Sequence, residues 1–394
     1  MVNRWRLAMA GLGLWGTLAS AGPAPLNALI ALEPTQRKEG LMISRPGLES
    51  SLGSVLGTPV NVTATEDLTD TMRATRSGAA DVFIAPPQVV ASAMAHGYEL
   101  LGCTDAPEEY VLVGRPNLPG AAAVKAGRIY LPQQDSIYTY MARGMLTAQG
   151  LSFKDLARVE YARLPQAGLT AVTLGLSEAT VVRRRDWDEW QQANPGAAKA
   201  LALSGPVPGG LSVAVKKDLP AEQRAKLAKW FSGSAQSVGL KNVTLQAAPT
   251  HYERVAQLGT FTPNALPGAR VVGAAEVRQL MEGGAVVVDT RTEKEFKAKR
   301  LPGAQFVPYA EKSLKDVAYD GKLDDFGGLT SLDPAKPTVF HCNGAECWKS
   351  YKAARAALAA GFAKVYWFRG GLPEWEKAGL PLDREGERQV AAIK

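Results

Sequence analysis

The residues of this chain best suited to chemistry lie in the stretch Val339-Phe340-His341-Cys342-Asn343-Gly344-Ala345-Glu346-Cys347-Trp348-Lys349-Ser350. An apolar run ends on Cys342, a short small and polar loop follows, and residues 351–360 pattern as a helix. A thiol so placed sits at a strand end facing a helix N-terminus. Unpaired backbone N–H groups and the positive end of the helix dipole stabilise its thiolate. A stabilised thiolate is a nucleophile, so Cys342 is the expected catalytic residue, with Asn343, Gly344, Ala345, Glu346, Cys347, Trp348, Lys349 and Ser350 as its loop. Cys347 is open to three readings: a structural disulfide partner in an oxidising compartment, a resolving thiol, or a bystander. The third cysteine, Cys103, ends an apolar stretch and reads as a small buried hydrophobe. His341 reads as a packed strand residue, and no metal site is expected: neighbouring strand residues point to opposite faces and a fourth ligand is missing.

The elements that must position Cys342 follow a regular rhythm from residue 269. A helix is predicted over 274–281, a buried strand over 286–289, and a helix over 292–299 capped by Thr292 with Glu295 as the reciprocal acid. Strands follow at 306–307, 338–341 and 365–368, giving a small parallel α/β domain. Four boxes stand in order: Asp289-Thr290-Arg291-Thr292-Glu293-Lys294-Glu295-Phe296; Leu301-Pro302-Gly303-Ala304; Cys342; and Gly370-Gly371 with Trp375 and Ala378-Gly379-Leu380-Pro381. In these the segment resembles the rhodanese homology domain, the sulfurtransferase fold. The resemblance implies that Cys342 takes the outer sulfur of thiosulfate or a persulfide as Cys–S–SH and hands it to an acceptor. Asp289 and Arg291 would pair to fix the crossover loop, and Gly370 and Gly371 would let the backbone approach the active-site loop closely. The loop also departs from the family. An arginine is common five residues after the cysteine, where this chain has Cys347; Lys349 is the replacement cation on offer. Glu346 would disfavour anionic donors unless it faces solvent. Trp348 at the sixth position cannot grip a phosphoryl group, which argues against the related phosphatases.

Residues 22–245 alternate strands with helices. Strands are predicted at 27–32, 59–65, 81–84, 110–114, 127–131, 159–163, 178–182 and 211–216, and helices at 47–56, 68–76, 137–149 and 221–232. The opening βαβαβ order implies a parallel sheet covered by helices. The pieces Thr75-Arg76-Ser77-Gly78-Ala79-Ala80-Asp81-Val82-Phe83-Ile84-Ala85-Pro86-Pro87 and Leu174-Gly175-Leu176-Ser177-Glu178-Ala179 resemble the phosphonate-binding branch of the type 2 periplasmic substrate-binding proteins of ABC importers. The resemblance implies a two-lobed module holding a small anion by loop amides and hydroxyls at helix N-termini. The local candidates are Glu33, Pro87, Gln88, Ser136, Tyr138 and Thr139. Ser136 could equally be a plain helix cap, and Glu33 and Asp135 would repel an anion.

At 394 residues the chain is long enough for two cores. A basic start (Arg4, Arg6), an apolar run over 7–18 and Ala19-Ser20-Ala21 form the pattern of a secretory signal over residues 1–21, so the expected address is periplasmic or secreted. Removing it leaves 43 basic against 38 acidic residues, +5 instead of +7. That mild, dispersed charge favours small anions slightly and does not suggest nucleic acid. Arg183-Arg184-Arg185, followed by Asp186, Asp188 and Glu189, reads as a solvated helix face. The expected boundaries are a binding module over 22–245, a proline-bearing linker over 246–266, the rhodanese domain over 267–386 and a tail over 387–394. The leading expectation is an exported sulfurtransferase with an anion-binding module, needing no cofactor. Its partners would be a small sulfur-containing anion or persulfide donor, and an ABC transporter or periplasmic redox protein. The competing expectation is a non-catalytic substrate-binding, redox or partner-docking protein with a modified rhodanese loop.

Overall fold

The computed structural model describes residues 25–33, 43–162, 164–240 and 248–385. The expected signal and the tail over 387–394 lie outside the described residues. The first lobe opens with β1 (Leu26–Ala31), α1 (Arg45–Leu56), β2 (Val60–Thr65), α2 (Leu68–Ser77), β3 (Val82–Ala85) and α3 (Pro87–Ala95). Local chemistry sets the helix ends: Ser44 Oγ accepts the Gly47 N–H at 3.2 Å, and Gly57 closes α1 at φ 69°. β2, β1 and β3 run parallel, as the crossover rhythm requires.

The chain then enters β4 (Tyr98–Glu108) and the second lobe: β5 (Tyr110–Gly114), β6 (Arg128–Leu131), α4 (Ile137–Thr147), β7 (Arg158–Tyr161), α5 (Pro165–Thr173), β8 (Ala179–Arg183), α6 (Arg184–Ala193) and β9 (Lys199–Leu203). β10 (Val207–Lys216) returns to the first lobe and is followed by α7 (Ala221–Ser232). The sheet orders are β2-β1-β3-β10-β4 and β7-β6-β8-β5-β9. Neither sheet is purely parallel: β10 is antiparallel to β3 and β4, and β5 is antiparallel to β8 and β9. β3, β5, β8 and β10 are buried almost throughout, whereas β4 and β9 are only partly buried and show no clean alternation, so the sequence did not announce them. Arg183 also differs from the solvated reading; it ends β8, is buried and holds Asp186 at 2.9 Å, whereas Arg184 and Arg185 stay exposed.

The stretch read as a linker contains α8 (Pro249–Gln257), started by a proline at its first turn. It packs on α3, and Tyr252 Oη shares a 2.7 Å hydrogen bond with Ser212 Oγ of β10. Then come β11 (Arg270–Val271), α9 (Ala274–Glu282), β12 (Val286–Asp289), α10 (Glu293–Ala298), β13 (Gln305–Phe306), β14 (Thr338–His341), α11 (Trp348–Ala359), β15 (Val365–Phe368) and α12 (Gly371–Lys377). This sheet, β11-β15-β14-β12-β13, is parallel throughout. Alternation sends Val339 and Phe340 into separate cores on its two faces. β14 is the middle strand, so Cys342 emerges from the centre of the sheet.

Candidate functional site

Cys342 follows the last residue of β14, and Cys347 is the N-cap residue of α11; the two are joined in a disulfide. The bridge fits both a structural disulfide and the product of a resolving thiol, and it sets aside Cys347 as a bystander. Both are buried, Cys342 at 1% and Cys347 at 5% exposure. Gly344 takes φ 91° to let the five-residue loop turn, and its carbonyl accepts the Cys347 N–H at 3.0 Å. On the far side, Leu372 N–H donates to Cys342 O at 2.9 Å. Gly371, at φ 55°, lies so close to that carbonyl that a β-carbon there would collide with it. Ser350 accepts from Trp367 Nε1 at 3.1 Å, fixing the first turn of α11.

A buried polar network carries the loop. Arg291 holds Asp289 by a fork, Nη2 to Oδ2 at 2.7 Å and Nε to Oδ1 at 2.9 Å. Burial works against ionisation of Asp289, but His341 and Arg291 outweigh it and hold the carboxyl below its usual range. Arg291 Nη1 also reaches Asn343 Oδ1 at 3.4 Å, and Asn343 Nδ2 donates to Glu295 Oε1 at 2.6 Å. Glu295 completes the capping box with Thr292. His341 is fully buried with Nε2 3.6 Å from Asp289 Oδ2, and burial pushes its pKa down.

In the first body, the candidate residues converge on the N-terminus of α4, but their order differs from expectation. Glu33 was expected to repel an anion; its carboxyl accepts Ile137 N–H at 2.9 Å, at the α4 N-terminus, and Gln88 Nε2 at 3.0 Å. Burial pushes its pKa up to about 7 against these hydrogen bonds and the nearby Arg183. Ser136 caps α4 through the Thr139 N–H, and the Ser136 and Thr139 hydroxyls both bond Gln133 O. Tyr138 packs edge-on against Tyr110 with centroids 5.2 Å apart, and Pro87 starts α3.

The two sites are not separate. Glu346 does not face solvent; it is clamped by Arg76 Nη1 at 3.1 Å and Ser92 Oγ at 3.4 Å from the first body. Ala345 O accepts from Thr262 N at 2.8 Å and from its hydroxyl at 2.7 Å, and Trp348 Nε1 donates to Thr260 O at 2.8 Å. Lys315, from the loop before β14, reaches Asp135 at 2.8 Å beside the α4 N-terminus. Burial opposes ionisation of Asp135, yet Lys315, Arg143 and Thr69 hold it at about 2. Sequence reasoning missed Arg76, Lys315, Thr260 and Thr262, whose roles depend on partners far along the chain.

Residues 30–254 match the family described as ABC transporter, phosphonate, periplasmic substrate-binding protein, and residues 273–378 match the rhodanese-like domain. The chain therefore belongs to the phosphonate-type periplasmic substrate-binding family and carries a rhodanese-like domain after that module. Among solved structures, PhnD1 of Prochlorococcus marinus, in complex with methylphosphonate, is 13% identical with a TM-score of 0.45, covering 60% of this chain and 98% of that one. A binding-protein component of an ABC phosphonate transporter from Pseudomonas aeruginosa is 14% identical with a TM-score of 0.41, covering 56% of this chain and 82% of that one. An HTH-type transcriptional regulator of Mycobacterium tuberculosis, Rv0324, is 31% identical over 117 residues, or 30% of this chain. The chain spans about half, 46%, of that relative's length.

Proposed function

We propose that this is a periplasmic sulfurtransferase of the rhodanese type, acting through Cys342, with its binding module presenting a small anion and docking on an ABC transporter. The observation that carries the reading is the position of Cys342 between the end of the central strand and the N-terminus of α11, where loop amides and the helix dipole favour a thiolate. In the reduced protein the Cys342 thiolate attacks the outer sulfur of thiosulfate. The new S–S bond forms as the old one breaks, and sulfite leaves with the electron pair. Cyanide or a thiol then removes the sulfane sulfur and returns the thiolate.

The bridge to Cys347 favours a second step. A Cys347 thiolate attacking Cys342 Sγ of the persulfide expels hydrosulfide and leaves the disulfide, which a dithiol reductant must reopen by a two-electron exchange. The same bridge supports the competing redox reading, in which dithiol exchange is the whole activity. Thiocyanate formation from thiosulfate and cyanide separates them. The full chain reduced by a dithiol should turn over, Cys342→Ser should not, and Cys347→Ser should turn over without reductant. Reduced wild type no faster than Cys342→Ser would sink the sulfurtransferase reading and leave dithiol exchange.

A further inference from the structure

Where the two bodies meet they line a half-open pocket of ≈ 250 Å³, walled by Arg73 and Arg76 of α2 on one side and by Lys312, Lys315, Cys347 and Lys349 on the other. The lining carries five cationic side chains against two carboxylates, Glu311 and Glu346. Both carboxylates are already committed. Glu346 is held by Arg76 at 3.1 Å, and Glu311 Oε1 lies 2.8 Å from Lys352 Nζ, though not aligned for a hydrogen bond. Of the cations, Lys315 is matched by Asp135 outside the cavity and Arg73 leans on Asp70 of its own helix. Lys312, at the rim, and Lys349 stand in no salt bridge among the described residues.

A partly buried cluster of like positive charges costs free energy unless a counter-charge joins it. Two observations mark the missing partner. Arg76 is 7% exposed, and its Nε has no hydrogen-bond partner among the described residues. Burial, and then Arg73, hold the Lys349 ammonium down at about 8, against the pull of Glu295 and Glu311. At about 30 Å³ per water, the volume admits a tetrahedral ion with water to spare.

We propose that this cavity binds a small divalent oxoanion of the sulfate or thiosulfate kind, gripped jointly by α2 of the binding module and the start of α11 in the rhodanese-like domain. The site is distinct from the interlobe position at the α4 N-terminus, where the Glu33 carboxyl accepts Ile137 N–H. It does not depend on turnover at Cys342, although a sulfur-bearing anion held there lies against Cys347.

The test is isothermal titration calorimetry of the full oxidised chain at pH 7 and low salt, with sulfate, thiosulfate and phosphate as probes and chloride as reference. Arg73→Gln and Lys349→Gln, both at partly exposed positions, should each weaken oxoanion binding at least tenfold while far-ultraviolet circular dichroism stays unchanged. Ser136→Ala, at the interlobe helix, should leave it unaltered. Heats no larger than those of chloride, or binding that Ser136→Ala weakens while Arg73→Gln and Lys349→Gln match wild type, would overturn the proposal.

Discussion

Two helix N-termini in this molecule are met by a side chain from a strand end, and they are met differently. At α4 the visitor is the carboxylate of Glu33, bonded to Ile137 N–H and free to change charge with pH. At α11 it is Cys342, covalently tied to the helix's own cap residue, Cys347. The first arrangement makes occupancy a matter of protonation, the second a matter of oxidation. The same electrostatic feature thus serves two unlike controls, and each can be perturbed without touching the other.

The largest effect should come from removing the support of the second arrangement. Arg291→Ala leaves Asp289 buried without its fork and removes the partner of Asn343 Oδ1, so it should lower stability by about 3–5 kcal/mol in urea denaturation. A loss below about 1 kcal/mol would mean that the network does not carry the loop. Next is Glu33→Gln. The folded pKa of about 7 stands above the ordinary 4.5, so the stabilisation from protonation is complete below about 4.5 and is lost as pH rises through about 7. The variant should therefore match wild type near pH 4.5 and exceed it by about 3 kcal/mol at pH 8. Equal stabilities at pH 8 would remove protonation from the comparison. Reduction of the disulfide should cost about 2 kcal/mol, the loop-entropy value for so short a ring, with no dependence on Glu33. That independence would show in a Glu33→Gln protein losing the same amount on reduction. Smallest is Ser136→Ala, at about 1 kcal/mol for a lost cap, measured by thermal melting.

What could be read from the sequence was local. The Thr292–Glu295 capping box, the strand that ends at Cys342 and the helix stops at Gly57 and Gly78 are all written within a few residues of where they act. α8 was hidden because Pro249 looked like a breaker, whereas at a first helical turn proline loses no hydrogen bond. Of the antiparallel strands, β5, β8 and β10 were legible as apolar runs, whereas β4 and β9, only partly buried, carry neither a continuous apolar run nor a clean alternation. Hardest of all were the pairs that dock the two bodies: Arg76 and Glu346 are 270 positions apart, and Asp135 and Lys315 are 180 apart. Nothing in a single chain's spacing reports such pairing, so Glu346 could be read only as a charge that disfavours anionic donors unless it faces solvent.

The Lys315–Asp135 contact has a thermodynamic consequence. It joins the rhodanese-like body to the loop before α4 of the binding module by a buried ion pair. Any molecule that draws Asp135 away from Lys315 must work against that docking, and by reciprocity the docking must weaken that molecule's hold by the same factor. Displacement of Asp135 and loosening of this contact are then a single equilibrium seen from two sides. Lys315→Met would change both constants together.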